Sequence, residues 1–275
     1  MKERDGAVTT PCRIACLMYH EVTDDPTTSG FQRPAARRYA QTPLEFGRHL
    51  DRIARGGLAP KRVDRVDLAR PGRHLLLTFD DGGKSMLYVA DQLSERGWQG
   101  HFFIVTERIG HRTFLSAADI RRLRRDGHLI GSHSHTHPDI FRDGTRRLML
   151  DEWRVSSGIL EDLLGEPCLA AAVPGGDLSP EVMQTAREAG YHYLFTSEPW
   201  VTPWLVGDCW VIGRVCLKFG TTPDTVASLI QFRGWGRVRL VRALKGVARY
   251  SLAPLYRMYV AHTTRPEPPV GAAGA

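Results

Sequence analysis

The chain has 275 residues, and at about 150 residues per domain this length allows one or two domains. With 42% hydrophobic and 24% charged residues, the composition excludes a disordered or fibrous protein, and no apolar run reaches the roughly 18 residues of a transmembrane helix. The net charge is +7. Five cysteines without a Cys-x-x-Cys pair argue against a disulfide framework or a four-cysteine zinc site, and favour reduced thiols in a cytoplasm.

Short apolar strands alternate with amphipathic helices through the first two thirds of the chain. The predicted strands cover residues 12–18, 74–79, 101–105, 128–132, 168–173 and 192–196. The predicted helices cover residues 42–56, 85–96, 116–126, 145–164 and 179–190. Residues 21–41 are predicted to form a polar loop. This alternation indicates a mostly parallel sheet or barrel with crossover helices.

The C-terminal region differs in charge from the main body. Residues 225–265 contain eight basic residues and no acidic one, which leaves 29 of the 37 basic residues against 30 acidic residues elsewhere. A basic amphipathic helix is predicted at residues 236–260. It can lie on an anionic membrane surface, or it can pack its apolar stripe on the main domain, and the pattern leaves both alternatives open.

We divide the chain into four segments. Residues 1–11 are predicted to be an N-terminal tail, residues 12–222 the main domain and residues 223–262 a basic helical arm, and the Pro/Gly/Ala-rich residues 263–275 are predicted to be disordered. The first twenty residues lack the long apolar segment and the cleavage site of a secretory signal peptide. We therefore expect a cytoplasmic protein, with peripheral contact to the inner membrane face if the arm binds lipid.

Residues with useful chemistry follow several of the predicted strands, at the edge where parallel α/β folds bind ligands. In chain order they are Tyr19 and His20, Asp80 and Asp81, then His133, His135 and His137, and finally residues 174–177. The paired carboxylates suit one metal ligand and one base, although Asp-Asp-Gly-Gly is also good turn chemistry. The three histidines can share one face of an extended segment, or His133 and His137 can converge over a turn. One Asp and two His would give a hydrolytic metal site with an open coordination position.

The chain resembles the polysaccharide deacetylases of the NodB-homology type (carbohydrate esterase family 4) over roughly residues 12–217. The similar motifs are LMYHEV at 17–22, LTFDDG at 77–82, HFFIVTERIG at 101–110, GHLIGSHSHTHPDI at 127–140, VPGGDLS at 173–179 and AGYHYLFTSE at 189–198. The resemblance implies an α/β fold of the distorted (β/α) barrel type. It also implies a metal-dependent hydrolase that removes N-acetyl groups from glycans, in a branch with an N-terminal MYH motif.

The resemblance assigns roles to individual residues. It implies that Asp80 is the general base and that Asp81, His133 and His137 bind a divalent metal, for which we expect Zn²⁺. His135 is the middle residue of that motif and is not a ligand. The Pro-Gly-Gly loop corresponds to the loop whose backbone N–H binds the oxyanion, which makes Gly175 the candidate donor.

Two family residues have no counterpart at the usual positions. The stretch at 171–176 lacks the arginine that pairs with the base, and Arg214 is either its replacement or an ordinary salt-bridged arginine. The C-terminal Leu-x-His that supplies the acid is also absent. Relatives that begin with a MYH motif look circularly permuted, so His20 is expected to protonate the leaving amine, the alternative being a structural histidine at a strand end.

The expected partner is an N-acetylated glycan or a lipid-linked saccharide. The alternative function is a non-catalytic glycan- or metal-binding module on the same fold. Nucleic acid is not expected as a partner, because the basic arm offers few aromatic stacking platforms and no known binding motif.

Overall fold

The computed structural model describes residues 11–176 and 178–251, with side chains up to residue 244. Within these residues the strands are β1 (Cys12–Tyr19), β2 (Gly72–Phe79), β3 (His101–Ile104), β4 (Leu129–Ser132), β5 (Ala170–Ala172), β6 (Tyr193–Phe195), β7 (Trp204–Val206), β8 (Cys209–Ile212) and β9 (Val215–Cys216). The α-helices are α1 (Pro43–Arg55), α2 (Met86–Ser94), α3 (Ala117–Arg125), α4 (Arg146–Leu164), α5 (Pro180–Glu188), α6 (Pro223–Ile230) and α7 (Trp235–Ser251). The predicted tail at 263–275, and residues 1–10 of the predicted N-terminal tail, lie outside the described residues.

The strands form one sheet in the order β7-β8-β6-β5-β4-β3-β2-β1-β9. Neighbouring strands are parallel, except that β7 runs antiparallel to β8. The sheet is curled into a half-barrel. It is open, because in the described part of the chain β7 and β9 form its two edges and do not pair with each other. The predicted α/β fold of the distorted-barrel type is confirmed. The carboxyl ends of the parallel strands meet along one edge of this sheet.

The six predicted strands correspond to β1–β6, and the five predicted helices of the main domain correspond to α1–α5. Strands β7, β8 and β9, which have two to four residues each, were not predicted. The predicted polar loop at 21–41 contains two short 3-10 helices, Pro26–Thr28 and Pro34–Tyr39, each with proline at its first position.

Both faces of the central strands are buried, which explains why they are apolar along their whole length. On β1, Ala15, Leu17 and Tyr19 pack with the surrounding helices. The alternate residues Ile14 and Cys16 point to a smaller apolar cluster on the opposite face. The strands are therefore held from two sides, and the edge that carries their carboxyl ends is the part left open to a ligand.

Helix α6 belongs to the core although it falls within the range assigned to the basic arm. Its residues Val226, Leu229 and Ile230 are buried, and it packs against α1. The capping box of α1, in which Thr42 and Glu45 exchange hydrogen bonds, fixes the start of that partner helix. The apolar core therefore continues through residue 230.

Helix α7 begins with Trp235, which is buried, and Val238 packs beside it. Leu240 and Leu244 are each 62% exposed, so the alternative in which this stripe packs on the main domain does not hold for these two residues. The predicted stripe also contains Val241, which is 44% exposed, and Val247 and Ala248, whose side chains are outside the described set. Across the described helices, none is both long and apolar enough to cross a bilayer.

Gly131 in β4 lies close to neighbouring backbone and to an aromatic ring, and a substitution there tests the fold. A methyl group at Gly131 would lie 2.7 Å from the Ala170 carbonyl oxygen and 2.7 Å from the Phe103 ring, so Gly131→Ala should lower the free energy of unfolding by about 1–3 kcal/mol. Gly158→Ala is the matched control, because a methyl group in that α4 position meets nothing within 4 Å and should stabilise by about 0.5–1 kcal/mol. Urea unfolding of both variants measures the difference, and equal effects would contradict the packing described here.

Candidate metal centre and active-site cleft

One cleft of about 330 Å³ opens at the carboxyl ends of the parallel strands. It is lined by the seven residues to which Sequence analysis gave a catalytic or metal-binding role. They are His20, Asp80, Asp81, His133, His137, Gly175 and Arg214. They follow five different strands, namely β1, β2, β4, β5 and β8. The fold therefore brings together residues that are separated by up to almost two hundred positions in the chain.

Asp81, His133 and His137 form a group suited to a metal ion. One ligand atom of each lies within 4.8 Å of the others, and Asp81 Oδ1 is 3.5 Å from His133 Nε2 and 3.7 Å from His137 Nε2. His133 Nδ1 donates a hydrogen bond of 2.9 Å to the Ala172 carbonyl, which leaves the lone pair on Nε2 directed toward Asp81. His135 is outside this group, and its Nδ1 lies 3.0 Å from the Thr106 hydroxyl.

The charge state of this group fits a cation. Burial lowers the pKa of both His133 and His137, so each ring is held in the neutral form that binds metals. Burial, followed by the negative charges of Asp80 and Glu21, raises the pKa of Asp81 well above its usual value. A divalent cation would favour the ionised form of Asp81, because its positive charge would offset burial and the nearby negative charges.

The backbone of the two ligand-bearing loops is unusual. Asp81, Ser134 and His137 have φ angles of 81°, 63° and 59°, and only one other described non-glycine residue, Phe232, has a positive φ. The left-handed region is costly for such residues and persists where the surrounding structure enforces it. These loops are therefore held in place rather than free to rearrange.

Glu152 on α4 is a main support of the histidine loop, and the sequence analysis assigned it no role. Its carboxylate accepts hydrogen bonds of 2.8 Å from the backbone N–H of His135 and of Thr136, and one of 2.6 Å from the Thr136 hydroxyl. Glu152 is buried. A buried carboxylate with three donors fixes the segment that connects His133 to His137.

Asp80 is paired with Arg214, as expected if this arginine replaces the one missing from the 171–176 stretch. Arg214 is fully buried and donates to both carboxylate oxygens, with Nη1 2.7 Å from Oδ1 and Nη2 2.9 Å from Oδ2. Its Nε donates to the Thr196 carbonyl at 3.0 Å. Burial opposes ionisation of the Asp80 carboxyl, but the Arg214 charge outweighs it and lowers the pKa. The surface salt-bridge alternative for Arg214 is wrong, because the side chain has no solvent exposure.

His20 lies on the cleft wall with its ring centroid 4.8 Å from that of Tyr39. Its Nδ1 is buried without a hydrogen-bond partner among the described residues. Burial lowers the pKa of His20 to about 4, against the opposing effect of Asp80. The imidazole is therefore neutral near pH 7, with one nitrogen available to a ligand in the cleft.

Gly175 lies in the turn that follows β5 and has a φ of 64°. This conformation favours glycine and presents the turn to the cleft.

Glu21 lies near Asp81, is buried and accepts hydrogen bonds from the Ser29 and Ser85 hydroxyls. Glu21 belongs to the LMYHEV segment, which was the available signal for it, but that motif alone did not indicate a buried carboxylate beside Asp81.

The model of the polysaccharide deacetylase family matches residues 67–194, which include Asp80, Asp81, His133 and His137. Over these 128 of its 275 residues the chain is similar to the polysaccharide deacetylase family. Among curated relatives, the peptidoglycan-N-acetylmuramic acid deacetylase PdaA of Bacillus subtilis is 24% identical over 186 residues, which cover 66% of this chain and 64% of that protein. A chitin deacetylase of Arthroderma benhamiae is 26% identical over 122 residues, 44% of this chain and 32% of the relative. The chain thus spans less than two thirds of the length of these relatives.

Solved structures agree on the fold. IcaB from Ammonifex degensii matches with a TM-score of 0.67 at 22% identity, covering 81% of this chain and 98% of that one. Streptococcus pyogenes deacetylase PplD, solved with acetate, matches with a TM-score of 0.69 at 19% identity, covering 80% and 99%. At these identities the likeness establishes the architecture of the family, and the chemistry depends on the residues of the cleft.

The support from Glu152 can be tested by metal binding. Glu152→Gln should weaken zinc affinity by about tenfold, because the amide cannot accept all three hydrogen bonds and the loop between His133 and His137 loosens. Competition with a chelating dye measures this affinity. Glu161→Gln is the control on the same helix, since Glu161 contacts Ser157 and the Cys168 N–H instead of the loop. Wild-type affinity in Glu152→Gln would show that the loop does not need this carboxylate.

Proposed function

We propose that this chain hydrolyses N-acetyl groups of an amino-sugar glycan with a divalent metal, Zn²⁺, held by Asp81, His133 and His137. The observation that carries the proposal is the placement of the Asp80–Arg214 pair beside that group in one cleft. A neutral-imidazole and carboxylate donor set with a fourth position open to a ligand is typical of hydrolytic zinc sites. When bound, the ion supplies Lewis acidity for a carbonyl and lowers the pKa of a water molecule.

Asp80 is the proton acceptor in this proposal. The Arg214 guanidinium holds it ionised and fixes both of its oxygens, so the carboxylate is ready to receive a proton from the attacking water. Arg214 does not reach the reacting atoms and acts as a positioning residue through Asp80. The Arg214–Asp80 contact favours the catalytic interpretation over a non-catalytic binding module, because a module that only binds its ligand does not require a carboxylate held ionised by a buried arginine.

His20 and Gly175 complete the proposal on the other sides of the cleft. The Gly175 N–H would donate to the oxyanion of the tetrahedral intermediate. His20 is neutral before reaction, because its pKa is lowered to about 4, so it must first take up a proton from solvent, while Asp80 later returns the proton of the attacking water to solvent. Negative charge that develops on the substrate favours that protonation, and the imidazolium can then protonate the leaving nitrogen.

The substrate class follows from the relatives, whose names include peptidoglycan and chitin deacetylases. We infer an N-acetylated glycan or a lipid-linked saccharide for this chain. A cytoplasmic location, expected from the sequence, would favour a lipid-linked precursor at the inner membrane face.

Acetate release from N-acetylglucosamine oligomers tests the function. Asp80→Asn should bind zinc as the wild type does but lose at least 100-fold in rate, because the proton acceptor is removed while the ligands remain. His133→Ala should lose both zinc and activity. His135→Ala is the control and should keep zinc, since His135 is outside the ligand group. Full turnover by Asp80→Asn would remove the base from the scheme, and wild-type protein that binds zinc without releasing acetate from any acetylated glycan would favour the binding module.

We further propose that an exposed surface next to the cleft contacts an anionic membrane. This α7 surface consists of Trp200, Arg239, Leu240 and Leu244. The Arg239 guanidinium lies 3.8 Å from the Trp200 ring centroid, and both leucines project into solvent one helical turn apart. Exposed leucines, a tryptophan and basic charge are the combination found in helices that bind lipid interfaces.

Vesicle flotation tests the α7 surface. The double variant Leu240→Ser, Leu244→Ser should lose at least fivefold in binding to vesicles that contain anionic phospholipid, because the apolar contact is removed. Leu44→Ser is the control, since Leu44 is equally exposed but lies on α1. Equal binding by the double variant and the wild type, or no preference for anionic over neutral vesicles, would contradict the proposal.

A further inference from the structure

Helix α7 forms part of the active-site cleft. Val238, Val241 and Arg242 line the same cavity as Asp80 and the candidate metal ligands. Arg242 points inward from the helix, with only 19% of its side chain exposed. The C-terminal segment, which the sequence presents only as a basic arm, therefore reaches the residues that surround the reaction.

Arg242 connects two segments that border the cleft. Its Nε and Nη2 donate to Glu198 Oε1 at 3.0 and 2.8 Å, and its Nη2 lies 3.5 Å from the carbonyl oxygen of Gly176. Gly176 directly follows Gly175, the candidate oxyanion donor. Ser197 N–H also donates to the Gly176 carbonyl at 3.3 Å, so the turn rests on the same segment that Arg242 holds.

The segment at 196–198 also positions the arginine of the base. The backbone N–H of Arg214 donates to the Glu198 carbonyl at 3.0 Å, and its Nε donates to the Thr196 carbonyl at 3.0 Å. The Glu198 N–H in turn donates to the Thr196 hydroxyl at 3.1 Å. A displacement of Glu198 would therefore be transmitted both to the Gly175 turn and to the Asp80–Arg214 pair.

We propose that Arg242 is a positioning residue for this reaction, which clamps the Gly175–Gly176 turn and the 196–198 segment from helix α7. The inference rests on the proposed deacetylase function. Arg242 contacts none of the metal ligands in the geometry described above, so its loss should leave zinc affinity intact. The effect should fall on kcat, because the donor at Gly175 and the base at Asp80 would be misplaced in the transition state.

Kinetics on the full chain test the clamp. Arg242→Ala should lower kcat by about 10- to 100-fold with KM and zinc affinity within about twofold of wild type. Glu198→Gln should lower kcat less than Arg242→Ala does. The double variant should be no slower than Arg242→Ala, because both substitutions break the same Arg242–Glu198 contact. Arg237→Ala removes the same charge from an exposed position of α7 and should keep wild-type kinetics. Unchanged kcat in Arg242→Ala, or losses that multiply in the double variant, would overturn the clamp.

Hydrogen exchange separates failure of the clamp from failure of the proposed function. Amides in peptides covering residues 174–176 and 196–198 should exchange faster in Arg242→Ala than in wild type and Arg237→Ala, whether or not acetate is released. If the wild type is inactive but exchange responds as expected, the clamp stands and the deacetylase proposal fails. If exchange is identical in all three proteins, the clamp is refuted whatever the activity.

Discussion

Asp80 and Asp81 are adjacent carboxylates buried together at the end of β2, and each opposes the ionisation of the other. For Asp80 the repulsion is offset by the buried Arg214, whose two hydrogen bonds favour the ionised carboxylate. Among the described residues, no arginine pairs with Asp81, and burial together with nearby negative charge raises its pKa. Two histidines held neutral face it, and the three side chains together form the candidate cation site of the proposal. The division of labour between base and ligand follows from these different neighbours.

The parts of the site that could be predicted from the sequence are those set by local chemistry and by the topology of parallel sheets. Asp81, His133 and His137 each follow a strand, and the carboxyl ends of parallel strands must share an edge. The start of α1 and the first six strands were predicted because each depends on residues close in the chain. The ambiguity between an extended and a turned histidine segment was not resolved by pattern, because it depends on the positive φ values of Ser134 and His137.

What could not be predicted depends on contacts between distant residues. Arg214 was a candidate partner of Asp80, but the pairing spans 134 positions, so the choice between this role and an ordinary salt bridge depends on the fold. Glu152 looks like any carboxylate on an amphipathic helix, and only the packing of α4 against β4 buries it under the histidine loop. Burial of a charged side chain is decided by the assembled fold, so the sequence offered Arg214 only as one of two alternatives and gave no signal for Glu152.

Helix α7 joins the two proposals that concern the C-terminal segment. One side of the helix presents Leu240 and Leu244 to solvent, while Arg242 reaches back to Glu198 and the turn at Gly176. A helix moves as a unit. The proposed membrane contact on its outer side and the proposed Arg242 clamp on its inner side therefore both depend on the position of α7. If a membrane binds α7 more tightly when Arg242 holds Glu198 and the Gly176 carbonyl, linkage requires that membrane binding in turn favours those contacts. Contact with a lipid surface would then favour the arrangement of Asp80 and Gly175 that hydrolysis requires, which gives the basic character of this segment a function at the active site as well as outside it.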